Sequence, residues 1–141
     1  MAISEQHAGR TYPPTAPYEV SAAKVSEFAT AIGDDNAAYT GAAAVAPPTF
    51  VAVISSAAWQ AMFDDPELEL ALRRIVHGDQ RFTYHRPLRV GDRVTAALTI
   101  DKVRPRGSAD IISSSVEVVD EHGELVCVAS STFFHLRESG V

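Results

Sequence analysis

The chain has 141 residues, of which 46% are hydrophobic and 21% charged, values typical of a globular protein rather than a disordered one. No apolar run reaches the roughly 18–20 residues that a membrane-spanning helix needs. The net charge of −6 argues against general nucleic-acid binding. A single domain over residues 1–141 is expected.

Cysteine usage and the first residues predict a cytoplasmic protein. The one cysteine, Cys127, cannot form an internal disulfide, which fits a reducing compartment. The segment from Met1 to His7 has neither a basic flank nor an apolar core, so no secretion signal is expected there.

Positive charge is concentrated between Arg73 and Arg106. This window contains most of the Lys and Arg residues but only three carboxylates, giving it a net charge of +6 on an otherwise acidic chain. Such a window suits a phosphate-bearing ligand or an acidic partner. The alternative is that these cations are simply the outward positions of half-exposed strands.

The first predicted elements are an extended segment and a short helix. Three prolines over residues 11–17 exclude a helix there. Ser21 is a candidate N-cap, and apolar residues then recur at helical spacing up to Gly33, a candidate helix end. The residues predicted to form the apolar face are Val25, Phe28, Ala29 and Ile32.

A second helix is expected to begin at Pro47 and Pro48, where a missing N–H costs nothing. It runs to Phe63 and is apolar or small on almost every side, which is typical of a buried helix. The acidic pair and proline at residues 64–66 end it.

After this helix the hydrophobic period changes to two, which predicts strands. The predicted strands are Arg81–His85, Val94–Ile100, Ile111–Val119 and Leu125–Leu136. One buried helix followed by antiparallel strands predicts an α+β fold in which the sheet wraps around the helix. Open sheet edges are often covered by a second subunit, so a dimer is expected.

The loop from Gly33 to Asn36 is the candidate site. Gly-Asp-Asp-Asn is ordinary turn chemistry, but this loop precedes the start of the buried helix. The backbone N–H groups of Pro48-Thr49-Phe50 could stabilise an oxyanion on a substrate carbonyl. The histidines and Cys127 show no metal-ligand spacing, so no metal site is predicted.

Two segments carry a family resemblance. "FATAIGDDNAAY" followed by "APPTFVAV" is similar to the hydratase motif of the MaoC-like hot-dog proteins, roughly Gly-Asp-x-Asn-Pro-aliphatic-His before a long central helix. "VHGDQRFTYHRPLRVGDRV" resembles the N-terminal, FAS1-like dehydratase branch of that family. The likeness extends to small actinobacterial members and to the non-catalytic subunits of the mycobacterial (3R)-hydroxyacyl-carrier-protein dehydratase.

The resemblance implies a hot-dog fold and an (R)-specific hydratase or dehydratase acting on acyl thioesters in fatty acid or polyketide metabolism. In active members the motif Asp and His form an acid–base pair and the Asn orients the site. Here the Asp falls on Asp34 and the Asn on Asn36, but the His position holds Tyr39. Because a tyrosine with an ordinary pKa near 10 is a poor base at neutral pH, the motif is predicted to be degenerate.

The preferred hypothesis is therefore a degenerate subunit that pairs with a catalytic MaoC-like subunit and binds an acyl-CoA or acyl carrier protein thioester. Arg86 and Arg89 are candidates for binding the phosphates of CoA or phosphopantetheine. No cofactor is implied. A second hypothesis is a self-sufficient homodimeric hydratase or thioesterase in which His77, His85 or a carboxylate such as Asp34 or Asp35 supplies the chemistry. A third is a non-enzymatic acyl-binding protein.

Overall fold

The computed structural model describes residues 2–138, which fold as an antiparallel sheet wrapped against one long helix. The strand order is β1-β3-β4-β5-β2. The helices are α1 (Ala22–Ala31) and α2 (Val51–Phe63), and the strands are β1 (Tyr18–Glu19), β2 (Ile75–Tyr84), β3 (Arg93–Arg106), β4 (Ala109–Asp120) and β5 (Leu125–Leu136). The predicted α+β class is confirmed. No helix within residues 2–138 combines the length and apolarity needed to span a bilayer.

Helix α1 forms where the sequence predicts it. The Ser21 hydroxyl accepts a hydrogen bond from the Lys24 N–H at 3.1 Å and so caps the helix. Val25 and Ala29 are buried, as the apolar spacing predicts. Ile32 is 49% exposed, because the helix ends at Ala31 and Ile32 already belongs to the turn.

Helix α2 lies against the inner face of the sheet and buries Val51, Ile54, Ala58 and Met62. It begins three residues later than predicted. The Phe50 N–H donates to the Pro47 carbonyl at 2.8 Å, so the two prolines open a separate turn that leads into the helix.

Strand β2 starts at Ile75, six residues before its predicted beginning, because a β-bulge between His77 and Asp79 absorbs the expected break. The Phe134 ring packs over the backbone of Gly78, so a Cβ at this position would clash with Cε2 of Phe134 and displace the ring. A second irregularity, between Ile100 and Lys102, lets β3 continue to Arg106.

The two sheet edges differ. On the β3 side, the extended segment over residues 11–17 covers the edge, with the Tyr12 N–H donating to the Leu98 carbonyl at 3.0 Å and the Thr15 N–H to the Ala96 carbonyl at 2.9 Å. On the other side, β2 pairs with β5, and no further strand within residues 2–138 pairs with its outer edge. This open edge is the one expected to need a partner.

A buried histidine forms a hydrogen bond with the connection between α2 and β2. His135 of β5 is 7% exposed, and its Nε2 accepts a hydrogen bond from the Ala71 N–H at 3.1 Å. Nε2 must therefore be unprotonated in the folded protein. Burial lowers the pKa of His135; Asp110, its neighbour on β4, opposes that effect, and Arg74 adds to it.

The free energy of unfolding is expected to fall as pH drops below about 6.5, the ordinary pKa of histidine. The unfolded chain takes up a proton on His135 there, whereas the folded chain resists it until its own lower pKa is reached. The slope is at most about 1.4 kcal/mol per pH unit for one proton. Urea titrations at several pH values measure it. His135→Gln keeps an acceptor without a titrating group, and an unchanged slope in that variant would contradict the assignment.

Candidate functional site

The loop after α1 holds the motif residues in a compact turn. Gly33 has a φ of +73°, a conformation that favours glycine. The Asp34 carboxylate accepts from the Asn36 N–H at 3.1 Å, and the Asn36 side chain accepts from the Ala38 N–H at 2.9 Å. The second bond caps the single 3₁₀ turn Ala37–Tyr39. Both motif side chains therefore also shape the loop.

Tyr39, in the motif's histidine position, is half-buried at the end of this turn. Its pKa is raised, first by burial and then by the nearby negative charge of Asp34. The phenol is thus protonated at neutral pH. It can donate a hydrogen bond, but it cannot act as a base.

Two clefts meet at this loop and share Asn36 and Tyr39. The first, of about 460 Å³, lies between α1 and the loop and includes Asp34 and Asp35 in its wall. The second, of about 540 Å³, lies between the loop, the start of α2 and the end of β2. The second cleft brings together Asn36, Tyr39, Pro48 and Arg86 from the predicted site with His85, the alternative base, and adds Tyr84.

The start of α2 offers fewer N–H groups than the sequence suggested. Proline has no N–H, so Pro48 contributes only its ring and carbonyl. The Phe50 N–H is used by the Pro47 carbonyl, and the Phe50 side chain is fully buried with its ring 5.3 Å from that of Phe28. The prediction that Phe50 binds substrate is corrected accordingly. Thr49 is exposed, and its N–H has no hydrogen-bond partner among residues 2–138.

Tyr84 is a site residue that the sequence analysis missed. Its hydroxyl donates to the Pro48 carbonyl, which fastens the end of β2 to the start of α2. Burial, followed by the proximity of Cys127, raises its pKa. Its side chain follows Gln80 and Phe82 on the inner face of β2, and this alternation is the signal that could have identified it.

The two arginines predicted to bind phosphate have different surroundings. The Arg86 guanidinium lies 2.8 Å from the Asp92 carboxylate and 3.1 Å from that of Asp120. Two carboxylates already neutralise it, so the geometry argues for a structural role at the cleft rather than phosphate binding. The Arg89 side chain is exposed and has no ionic partner in the described part of the chain, but it does not line the second cleft.

His77 lies far from the loop. It is on the inner face of β2, with its ring 5.1 Å from that of Trp59 and 5.2 Å from that of Phe133. Seven residues of strand, about 23 Å at 3.3 Å per residue, separate it from Tyr84. His77 lines neither cleft that contains Tyr39, so the structure does not bring it together with Asp34 within one chain.

The described residues contain neither a candidate metal site nor a reactive thiol. Within residues 2–138 no group of three or more His, Cys, Asp or Glu side chains is placed to hold a metal ion. Cys127 is fully buried, and burial raises the pKa of its thiol to about 11, which disfavours the thiolate.

Comparison with known proteins gives consistent likenesses. The family model "FAS1-like, dehydratase domain region" matches residues 6–129. A relative named only as a UPF0336 protein, from Cutibacterium acnes, is 51% identical over 140 residues, covering 99% of each chain.

Two solved structures share the architecture. The HadBC (3R-hydroxyacyl-ACP dehydratase) complex of Mycobacterium tuberculosis matches with a TM-score of 0.82 and 28% identity, covering 91% of this chain and 96% of that one. A MaoC-like dehydratase matches with a TM-score of 0.84 and 24% identity, covering 94% of this chain but 43% of its own. These likenesses confirm the predicted hot-dog fold.

Proposed function

The chain belongs to the FAS1-like dehydratase family, and from this premise we propose that it is a supporting subunit of an (R)-specific 3-hydroxyacyl-thioester dehydratase. It lacks its own catalytic base and works with a catalytic MaoC-like subunit. The observation that carries the proposal is Tyr39, a phenol whose pKa is raised by burial and by the charge of Asp34, at the position where active members of the family place a histidine.

The reaction explains why this position matters. In dehydration a base takes the α-proton of the thioester, the β carbon–oxygen bond breaks, and the departing hydroxyl takes a proton to leave as water. Hydration runs the same steps in reverse. Removing a positioned base costs about 10²–10⁴ in rate. With Tyr39 protonated, the side chain at the motif's histidine position cannot accept the α-proton at neutral pH.

The second cleft has the features of a substrate-binding site. It adjoins the start of α2, where no side chain caps the helix, and Pro48 forms part of its wall. The next residue, Thr49, does not line the cleft, but it is exposed and its N–H has no hydrogen-bond partner among residues 2–138. Asn36 and Tyr39 provide polar groups at its rim. In the proposed role this wall positions the acyl thioester while the partner provides the base.

The open edge of β2 is the proposed partner contact. Unpaired backbone groups along an edge strand favour pairing with another strand. A MaoC-like subunit has a sheet of the same kind, so antiparallel pairing of the two β2 edges would join the sheets into one. The related structure at 28% identity is itself a complex, HadBC, which supports a hetero-oligomer.

A self-sufficient hydratase is the second candidate, and one observation favours it. His85, rather than His77, lines the cleft that contains Asn36 and Tyr39. An imidazole there could take the α-proton in the absence of the motif histidine, since histidine is the side chain that most often serves as a general base.

The test is hydration of crotonyl-CoA by the purified chain, by a co-encoded MaoC-like protein, and by their mixture. The proposal expects activity in the mixture that exceeds the sum of the separate proteins, and none above background from this chain alone. Activity of the chain alone that disappears in His85→Ala but persists in His77→Ala would establish the second candidate instead. An inactive mixture would contradict both.

A further inference from the structure

An exposed apolar surface lies on the outer face of the sheet, away from α2. One row of paired residues crosses four strands there, from Arg104 on β3 through Ile111 and Phe134 to Val76 on β2. Val76 is 55% exposed, Phe134 36% and Leu136 48%. We call Val76, Ile111, Phe134 and Leu136 the outer patch.

The outer patch is flanked by positive charge. Lys102, Arg104 and Arg106 alternate along the outer face of β3, and all three are exposed. None of them forms an ion pair with a carboxylate among residues 2–138. This part of the basic window is therefore available to a partner, unlike Arg86.

We propose that the outer patch binds an acidic amphipathic helix of the protein that carries the acyl thioester; this inference rests on the proposed function and names the carrier. The dimensions fit a helix. Three adjacent strands span about 10 Å, which is close to the diameter of an α-helix with its side chains. An apolar stripe would lie on Phe134 and Ile111, and acidic residues on the flank would meet Arg104 and Arg106.

Charge favours this occupant over a second copy of the chain. Two copies packed through the outer patch would bring both sets of three cations into one interface with an excess of positive charge. An acidic helix neutralises them instead. Because the whole chain carries −6, its net field repels an acidic partner, and this basic flank provides the local attraction that orients it.

The location also suits delivery of a substrate. The outer patch is at the Ile75 end of β2, whereas the second cleft is at the Tyr84 end. Antiparallel pairing of two β2 edges would place the outer patch at the same end of the joined sheet as the corresponding cleft of the partner subunit, on the opposite face. A carrier bound there would therefore be close to the subunit that provides the base.

Binding of a fluorescently labelled holo acyl carrier protein to the full chain, followed by anisotropy, tests the inference. The double variant Arg104→Glu/Arg106→Glu and the single variant Phe134→Ala are each expected to weaken binding at least tenfold. The matched controls Arg93→Glu, at the far end of β3, and Ile32→Ala, another exposed apolar residue, should change it less than twofold. Circular dichroism and light scattering verify folding and size.

Equal weakening in the control variants, or no weakening in the outer-patch variants, would overturn the inference. So would a wild-type dimer that Phe134→Ala dissociates, because the outer patch would then bind a second copy. Crotonyl-CoA hydration by the mixture with the MaoC-like protein separates the two proposals. This hydration rate should be the same with Arg104→Glu/Arg106→Glu as with the wild type. An inactive wild-type mixture would refute the proposed function. Carrier binding would still test the outer patch in that case.

Discussion

Replacing Tyr39 by histidine is expected to raise crotonyl-CoA hydration by the chain alone about 10²-fold or more above the wild type. The substitution puts an imidazole beside Asp34, where the wild type has a phenol whose raised pKa keeps it protonated. Asn36 and the start of α2 are already in place around the same cleft. The measurement is the initial rate at pH 7 for equal concentrations of the two proteins.

The control for this prediction is Tyr39→Phe, which removes the hydroxyl without adding a base. It should leave the rate of the isolated chain at the wild-type level. A Tyr39→His protein that folds normally and hydrates no faster than the wild type would show that more than the base is missing from this site.

Phe50→Ala is expected to lower the free energy of unfolding by about 3–5 kcal/mol. The Phe50 side chain is fully buried, and its ring meets Phe28 at 5.3 Å and Tyr18 at 6.5 Å. Truncation leaves a cavity where α1, β1 and the start of α2 meet. The free energy of unfolding of a domain is only about 5–15 kcal/mol in total, so the variant should unfold at a much lower urea concentration than the wild type.

Ile32→Ala is the matched control for Phe50→Ala, because it also removes apolar atoms but from a side chain that is 49% exposed. It should change stability by less than about 0.5 kcal/mol. Similar urea midpoints for the two variants would contradict the placement of Phe50 in the core.

Local sequence patterns were sufficient for much of the fold. Ser21 and Gly33 delimit α1 as expected, because capping and left-handed turns depend on residues only a few positions apart. Strand β5 has the predicted bounds, Leu125–Leu136. The apolar character of α2 correctly predicted a helix with a largely buried surface, since such a helix is stable only when other elements cover it.

The ends of β2 and β3 could not be predicted in the same way. Both strands continue through a bulge, at His77/Asp79 and at Ile100/Lys102, where the alternation of buried and exposed residues is interrupted. A bulge depends on the neighbouring strand, which the local pattern does not contain. Pro105 is accommodated in β3 because the extended segment and β1 do not pair with this end of the strand.

The proposed site combines residues of one short turn with residues that are distant in the sequence. The sequence by itself determined that Asp34, Asn36 and Tyr39 share one short turn and that the histidine of the motif is replaced, because both are properties of consecutive residues. It could not determine which distant side chains join them. Tyr84 and His85 reach the cleft only because β2 ends beside the start of α2.

Tertiary structure also decided which charged groups are available. Arg86 and Arg104 are both arginines of the basic window, but their surroundings differ. The carboxylates of Asp92 and Asp120 neutralise Arg86, whereas Arg104 faces outward with no ionic partner in the described chain. The physical reason is that charge pairing and burial depend on distances of a few ångströms between residues far apart in the sequence. Turn chemistry and periodicity are local, whereas the composition of a cleft or a surface is fixed only when the sheet closes around α2.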